Sequence, residues 1–273
     1  MELSYRVLQF AFPVMLFFAA LEALYITFVK NEIYAWRESL ATLGVAVGGR
    51  LVGLLTAGIV AQFATFLWQH RLINVSTHHI LYWPVLFIIE EFLYYWFHRL
   101  SHTVRWFWAT HSVHHSPQHF YLSGAYRLGW TGQITGGFIF FSPLFLLGFK
   151  PNAVFTVLAI NLLYQYWLHT ELIGKLGWFD LIFNSPSNHR AHHATQLEFL
   201  DKNFGGVIML FDHLFGTYIA ERNGNPIRKF GLIPNVYSNN PIKIALFEWK
   251  RIINDIRQGG SLINSFKILV GKP

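Results

Sequence analysis

The chain contains no cysteine. That excludes a disulfide framework and thiolate metal sites, so any bound metal must be held by nitrogen and oxygen donors. Charge is scarce as well. Asp, Glu, Lys and Arg make up 13% of the residues, against roughly 25% in ordinary soluble domains. No basic run alternates with aromatics in the way a groove for single-stranded nucleic acid requires. The formal net charge of +7 is instead what the positive-inside rule produces in a membrane protein, and no nucleic-acid partner is expected. What is abundant is apolar and aromatic: 53% of the chain is hydrophobic, with 27 Phe, 12 Tyr and 10 Trp.

Apolar runs of about 20 residues suffice to span a bilayer. Leu3 to Val29 is one such run and is too long for a cleaved signal h-region. Leu43 to Trp68 is a second, rich in glycine, and its Gly49-Arg-Leu-Val-Gly53 fits a small-xxx-small pattern for close helix approach. Ile80 to Phe97 is a third and runs straight into His98. Gln133 to Phe149 and Pro151 to Leu168 then predict an antiparallel hairpin about the turn Gly148-Phe-Lys-Pro151. Asn223 to Pro226 reads as a surface turn. The stretch Ile242 to Ile256 is amphipathic, suited to a membrane surface or to packing on the catalytic domain. The expectation is an all-α integral membrane protein with about four to five transmembrane or hairpin helices and a cytosolic helical cap. Its parts are N-terminal transmembrane helices over 1–80, a catalytic domain over 81–220 and an amphipathic tail over 221–273.

Histidine is the residue the rest serves. His111-Ser-Val-His114-His115 and His189-Arg-Ala-His192-His193 are twins of the form His-x-x-His-His. His98 and His102 form a third cluster, and His169 stands alone between the twins. Residues three and four apart share a helix face, so the members of each cluster can point the same way. Imidazole suits iron, zinc and copper, and one metal takes roughly three to five protein ligands, so nine imidazoles imply two metals. A single His-x-x-x-His at a membrane boundary is ordinarily a surface pair; two twins with a third pair are not explained that way. His70, His78 and His79 read as solvated loop residues, and His119 and His213 as neighbours of the site or surface residues. If the clusters face the cytoplasm, the N-terminus lies outside. Arg6, Arg71 and Lys150 then lie outside and the other 18 of 21 basic residues fall on the histidine side. Carboxylates that could orient a ligand imidazole are Glu91, seven residues before His98, and, ranked below it, Glu171, Asp180, Asp201 and Asp212. The alternative for Glu91 is a buried carboxylate paired with an arginine or tyrosine.

These residues resemble the fatty acid hydroxylase, or sterol desaturase, superfamily. The resemblance rests on Glu91-Phe-Leu-Tyr-Tyr-Trp-Phe-His98-Arg-Leu-Ser-His102, Trp108-Ala-Thr-His111-Ser-Val-His114-His115-Ser-Pro117 and Pro186-Ser-Asn-His189-Arg-Ala-His192-His193, with Asp201 to Gly206 and Phe215 to Tyr218 extending it. Tyr121 to Arg127 and Gln165 to Glu171 are most similar to the alkylglycerol monooxygenase-like branch. Asn188 and Gln165 stand where many relatives have histidine. The resemblance implies a His-ligated di-iron centre held by His98, His102, His111, His114, His115, His169, His189, His192 and His193. It also implies O2 as co-substrate and an external electron donor, with tetrahydrobiopterin the candidate from the closest-looking branch. Recombinant protein can carry zinc in place of iron. The implied activity is hydroxylation of a membrane lipid such as a sterol, alkylglycerol or acyl chain. The alternatives are a desaturase on the same site and, in another class, a non-enzymatic membrane metal-binding protein. Tyr126, Arg127 and Trp167 are the candidate substrate contacts. The implied location is the bacterial inner membrane or the endoplasmic reticulum, with an external reductase or electron carrier as partner; the sequence assigns no oligomeric state.

Overall fold

The structure, a computed structural model, describes residues 2–221, 227 and 229–273, with side chains from Ala11 onward. The turn expected at Asn223 to Pro226 lies outside the described residues. Helix α1 runs over Glu2–Leu24 and continues as a π turn over Tyr25–Val29. Helix α2 (Trp36–Gln69) begins seven residues before the apolar run, because Glu38 in its first turn suits the positive helix end. Its 34 residues rise roughly 50 Å, more than the hydrocarbon core of about 30 Å. Among the described residues, the α1 segment with its π turn and α2 are the two helices long and apolar enough to cross a membrane. Leu51, Leu54, Leu55 and Ile59 of α2 are exposed. A helix that is apolar on nearly every side and packed on few needs lipid as its solvent.

Helix α3 (Tyr82–Thr103) covers the segment expected as a third span and continues through His98 and His102, but it is not one of the two helices long and apolar enough to cross a membrane. Glu90 and Glu91 are buried in it. After an extended Val104 the chain re-enters α4 (Arg105–His115), which packs against α3. The expected first arm of the hairpin does not form a helix over 133–149. Gly136 takes φ 81, which a helix does not allow, so a 3-10 turn over Gly137–Phe141 and a five-residue α5 (Ser142–Leu146) replace it. The turn after α5 forms as expected: Gly148 sits at φ 93, and a Cβ there would fall 2.1 Å from the Ile73 carbonyl oxygen. Pro151 then starts α6 (Pro151–Tyr166). Tyr82, Leu86, Leu144, Phe145, Val154 and Val157 make the largest apolar core, which binds α3 to α5 and α6.

Short helices α7 (Trp178–Ile182), α8 (Pro186–His193) and α9 (Leu210–Leu214) follow. The Ser185 side chain caps α8 by accepting from the Asn188 N–H. The tail divides at Leu246 into α10 (Pro241–Ala245) and α11 (Phe247–Gly259), and α12 (Leu262–Val270) ends the fold. Helix α10 packs on α2, and α11 and α12 on α4. The described residues are otherwise loops and two isolated β-bridges, so the class is all-α.

Candidate metal centre

Four elements deliver the nine imidazoles. His98 and His102 come from the end of α3, His111, His114 and His115 from α4, and His189, His192 and His193 from α8. His169 follows the C-terminus of α6. They form two groups whose donor nitrogens lie within 4.8 Å of one another: His98, His102, His111, His115 and His192, and then His114, His169, His189 and His193. The i,i+4 pairs 98/102, 111/115 and 189/193 each stay in one group. The remaining member of each twin, His114 or His192, crosses to the other. The expectation that all three imidazoles of a twin act together is corrected: 3.6 residues per turn aims the three rings of a twin in two directions. The groups meet at His115 and His193, whose rings stack at 4.1 Å.

Ring nitrogens face one another at the distances a metal imposes. His98 Nε2 and His115 Nε2 lie 3.0 and 3.1 Å from His111 Nε2. In the second group, His169 and His193 Nε2 each lie 3.2 Å from His114 Nε2, and His189 Nε2 lies 3.0 Å from His169 Nε2. Nitrogens at about 2.1 Å from a shared cation are separated by roughly 3.0–3.4 Å in octahedral or tetrahedral arrangements. Hydrogen bonds between the rings do not account for these approaches throughout. His98 Nδ1 donates to the Phe204 carbonyl at 2.8 Å, and His169 Nδ1 to the Gln165 carbonyl at 3.0 Å. In the neutral ring each Nε2 is then a bare lone pair. His192 Nδ1 likewise donates to the Lys202 carbonyl at 2.8 Å, leaving a buried Nε2 with no hydrogen-bond partner. His102 Nε2 is buried without one too. Lone pairs converging away from water call for a cation, and a nitrogen-only donor set fits iron or zinc.

The electrostatics agree. Burial pushes His169 down to about 4. Burial, reinforced by neighbouring imidazoles, holds His111, His114, His115, His189, His192 and His193 well below the ordinary value. The rings are thus neutral and ready as ligands at pH 7. Phe120 lies against His169, His189 and His193, Trp108 against His102 and His115, and Phe204 against His98, His102 and His192. These rings make an apolar wall.

The candidate carboxylates Glu91, Glu171 and Asp201 part company. Glu91 touches no imidazole: it accepts from the Asn161 amide at 2.6 Å, from Val207 N–H at 3.0 Å and from Ile208 N–H at 2.9 Å. It therefore pins the 204–208 loop, which carries the carbonyl that His98 uses. Glu171 is exposed and lies among the charges of Arg190, Lys30 and His119. Asp201 alone of the three approaches a ring, with Oδ1 3.9 Å from His102 Nδ1. Sequence reasoning named Asp212 as a candidate carboxylate but missed the loop it positions. Asp212 accepts from Phe204 and Gly205 N–H at 2.8 and 2.7 Å and from the Thr217 hydroxyl. Asn203 bonds the Asn188 and Ile219 carbonyls. The Asp201 to Gly206 motif was the available signal, but main-chain carbonyls carry no side-chain signature. Asn188 bonds the Asp180 carbonyl at 2.7 Å and so braces α8.

Among the candidate substrate contacts, Arg127 is 2% exposed, and its Nε and Nη1 have no hydrogen-bond partner. Burial lowers its guanidinium to about 10, with Glu38 the charge that opposes the shift. Tyr126 packs against Phe12 and Tyr166, and Trp167 against Tyr164 and Phe179; neither makes a ring contact with the nine histidines. The loop before Arg127 does reach the site, because a Cβ at Gly124 would fall 4.0 Å from the His169 ring. The other histidines lie on the surface. His70, His78, His79 and His213 are exposed, and His119 is an exposed partner of Glu38.

An all-α membrane protein with a histidine-rich metal site is what this geometry defines. Residues 83–217 match the fatty acid hydroxylase family, and the chain belongs to it. It is 36% identical to human (Homo sapiens) alkylglycerol monooxygenase over 86% of this chain and 52% of that protein. It is 37% identical to the alkylglycerol monooxygenase of Danio rerio over 67% of this chain and 41% of that one. An ornithine lipid hydroxylase of Rhizobium tropici is 29% identical over 50% of this chain and 43% of its own length. The chain spans about half the length of the curated relatives it matches. No solved structure matches it.

Proposed function

We propose that this chain forms the catalytic part of an O2-dependent membrane lipid monooxygenase, with an alkylglycerol or other polar-headed lipid as substrate. The observation that carries the reading is the convergence of nine imidazoles, seven buried and His102 and His111 half-buried, into groups of five and four. The similarity to alkylglycerol monooxygenases and to a bacterial ornithine lipid hydroxylase supports the lipid class. His98, His102, His111, His115 and His192 would hold one ion, and His114, His169, His189 and His193 the other. When bound, two iron ions supply O2 activation and the electron transfer that an unactivated C–H bond demands. The reaction balances as C–H, O2, two electrons and two protons giving an alcohol and water. The electrons come from outside the chain, from tetrahydrobiopterin or a reductase, because the sequence carries no flavin or iron–sulfur motif.

The protein's own residues orient and exclude. The carbonyls of Gln165, Lys202 and Phe204 keep the Nδ1 protons of His169, His192 and His98 in place, so each Nε2 points inward. Asp201, 3.9 Å from His102 Nδ1, is beyond hydrogen-bond reach and would act on that ring through its charge. Phe120, Trp108 and Phe204 keep water from the site. Arg127, buried with two free N–H groups, would receive the oxygen atoms of the lipid's polar end. The excess of basic residues on the histidine side supports a cytosolic site with the N-terminus outside.

The test is the full chain in proteoliposomes with an alkylglycerol lipid, tetrahydrobiopterin and 18O-labelled O2. The expected result is a product carrying one 18O atom and about two irons per chain. A product that gains unsaturation without oxygen would make the enzyme a desaturase. About one metal per chain, or none, would refute the dimetal site.

A further inference from the structure

A helix of a water-soluble domain turns its apolar face inward; α12 turns it outward. Leu262, Ile263, Phe266 and Val270 share one face and are all exposed, the first three at 90%, 69% and 65%. No residue of α12 is buried. Asn264, Lys267 and Ile268 point the other way and line a 450 Å³ cavity with Arg105, Gly259 and Lys272. That cavity holds three cationic side chains. Arg105 is already paired with Glu248 at 2.9 Å and Asp255 at 2.6 Å. Among the described residues Lys267 and Lys272 form no close ion pair, and Lys272 acts on Asp201 at longer range. Across 241–273 there are six basic residues (Lys243, Lys250, Arg251, Arg257, Lys267 and Lys272) against Glu248 and Asp255.

The helix also lies where α3 ends. The Arg105 N–H donates to the Gly271 carbonyl at 2.9 Å, which ties the end of α12 to the point where α3 gives way to α4. Trp106 and Trp249 pack edge to face beside it, and Trp249 Nε1 reaches Thr131. Tryptophans at that level are what a bilayer interface selects. An exposed apolar face, a cationic cavity behind it and a place at the end of a spanning bundle together fit one occupant.

We propose that α12 lies in the interface of the bilayer on the histidine side, with its apolar face among acyl chains, and that Lys267 and Lys272 take the phosphate of an anionic phospholipid. None of its residues is one of the nine histidines, while Lys272 acts electrostatically on Asp201 beside His102; the proposal does not depend on the reaction assigned to the metal groups. Anchoring α12 holds α4 at a constant depth, and α4 carries three of the nine imidazoles.

A chain without cysteine permits single-site spin labelling at Phe266→Cys and Asn264→Cys. The full chain is placed in phosphatidylcholine vesicles with and without phosphatidylglycerol. The Phe266→Cys label is expected to be reached by O2 and shielded from an aqueous nickel chelate, and the Asn264→Cys label to be the reverse. Native mass spectrometry should find phosphatidylglycerol retained by the unaltered protein. Lys267→Gln and Lys272→Gln should lower that retention roughly fivefold each, with the metal content unchanged. A Phe266→Cys label open to the nickel chelate would show a water-facing helix and overturn the proposal. A label shielded from both reagents and broadened by a second label would show a copy of this chain on the face, and would overturn it too. Unchanged phosphatidylglycerol retention in the double variant would refute the phosphate site.

Discussion

At the scale of the residue, nitrogen orientation decides what the histidines can do. An imidazole whose Nδ1 proton is held by a carbonyl offers a fixed Nε2 lone pair, and His98, His169 and His192 are all held in this way. The same restraint explains why Glu91 does not serve a ring. A carboxylate facing Val207 and Ile208 N–H satisfies the backbone that supplies one of those carbonyls. Because His114 and His192 belong to different groups, removing either should empty one ion and spare the other. His114→Ala and His192→Ala are each expected to fall from about two metals per chain to about one, with turnover down at least about 100-fold. Metal analysis beside product assay checks this. Full metal loading in either variant would mean that the missing ring is no ligand.

At the scale of the element, α4 is the part with least freedom. It carries three imidazoles in 11 residues and is clamped on both sides. Its Arg105 is tied to Glu248 and Asp255 of α11. On the other side the 127–133 segment passes so close that a Cβ at Gly129 would fall 2.2 Å from the Thr110 carbonyl oxygen. Backbone cannot yield as a flexible side chain can. Gly129→Ala should therefore cost roughly 1–3 kcal/mol and lower Tm by about 3–10 °C. Metal content should fall with it, because Thr110 adjoins His111. A thermal scan of the metal-loaded variant in detergent is the measurement, and an unchanged Tm would show that the segment can move away.

At the scale of the whole molecule, folding buries nine imidazoles together and so couples stability to pH. An unfolded chain takes up protons at histidine below about 6.5. In the fold, burial keeps His169 neutral down to about 4, and His111, His114, His115, His189, His192 and His193 also remain neutral well below 6.5. The unfolded state then binds more protons than the folded one, so stability is complete above about 6.5 and is lost as pH falls below it. Bound metal shifts the loss to lower pH without changing its direction, because protons and metal compete for the same lone pairs. Tm and retained metal are both expected to be level from pH 8 to 7 and to fall between about pH 6.5 and 5. A decline that began on the alkaline side would contradict the burial of neutral rings.

Much of the site was legible before the fold. The spacings of His98/His102, His111/His114/His115 and His189/His192/His193 are helical, and a cysteine-free chain leaves nitrogen as the chief soft donor. The long apolar character of α1 and α2 was equally plain. Local periodicity settles both, because residues three or four apart are neighbours in any helix. Other features depend on segments far apart in the chain. Glu91 meets Val207 across 116 positions, and His98 meets the Phe204 carbonyl across 106. Composition made α12 amphipathic, but only its packing on α4 turned the apolar face outward. The α-helix expected over 133–141 gives way to a left-handed Gly136 and a 3-10 turn, which apolar periodicity does not reveal. The sequence by itself determined which atoms could bind a metal and that α1 and α2 are apolar and long enough to cross a membrane. The tertiary structure alone decided how nine donors divide into five and four, because that division is a matter of how α4 and α8 are set against each other.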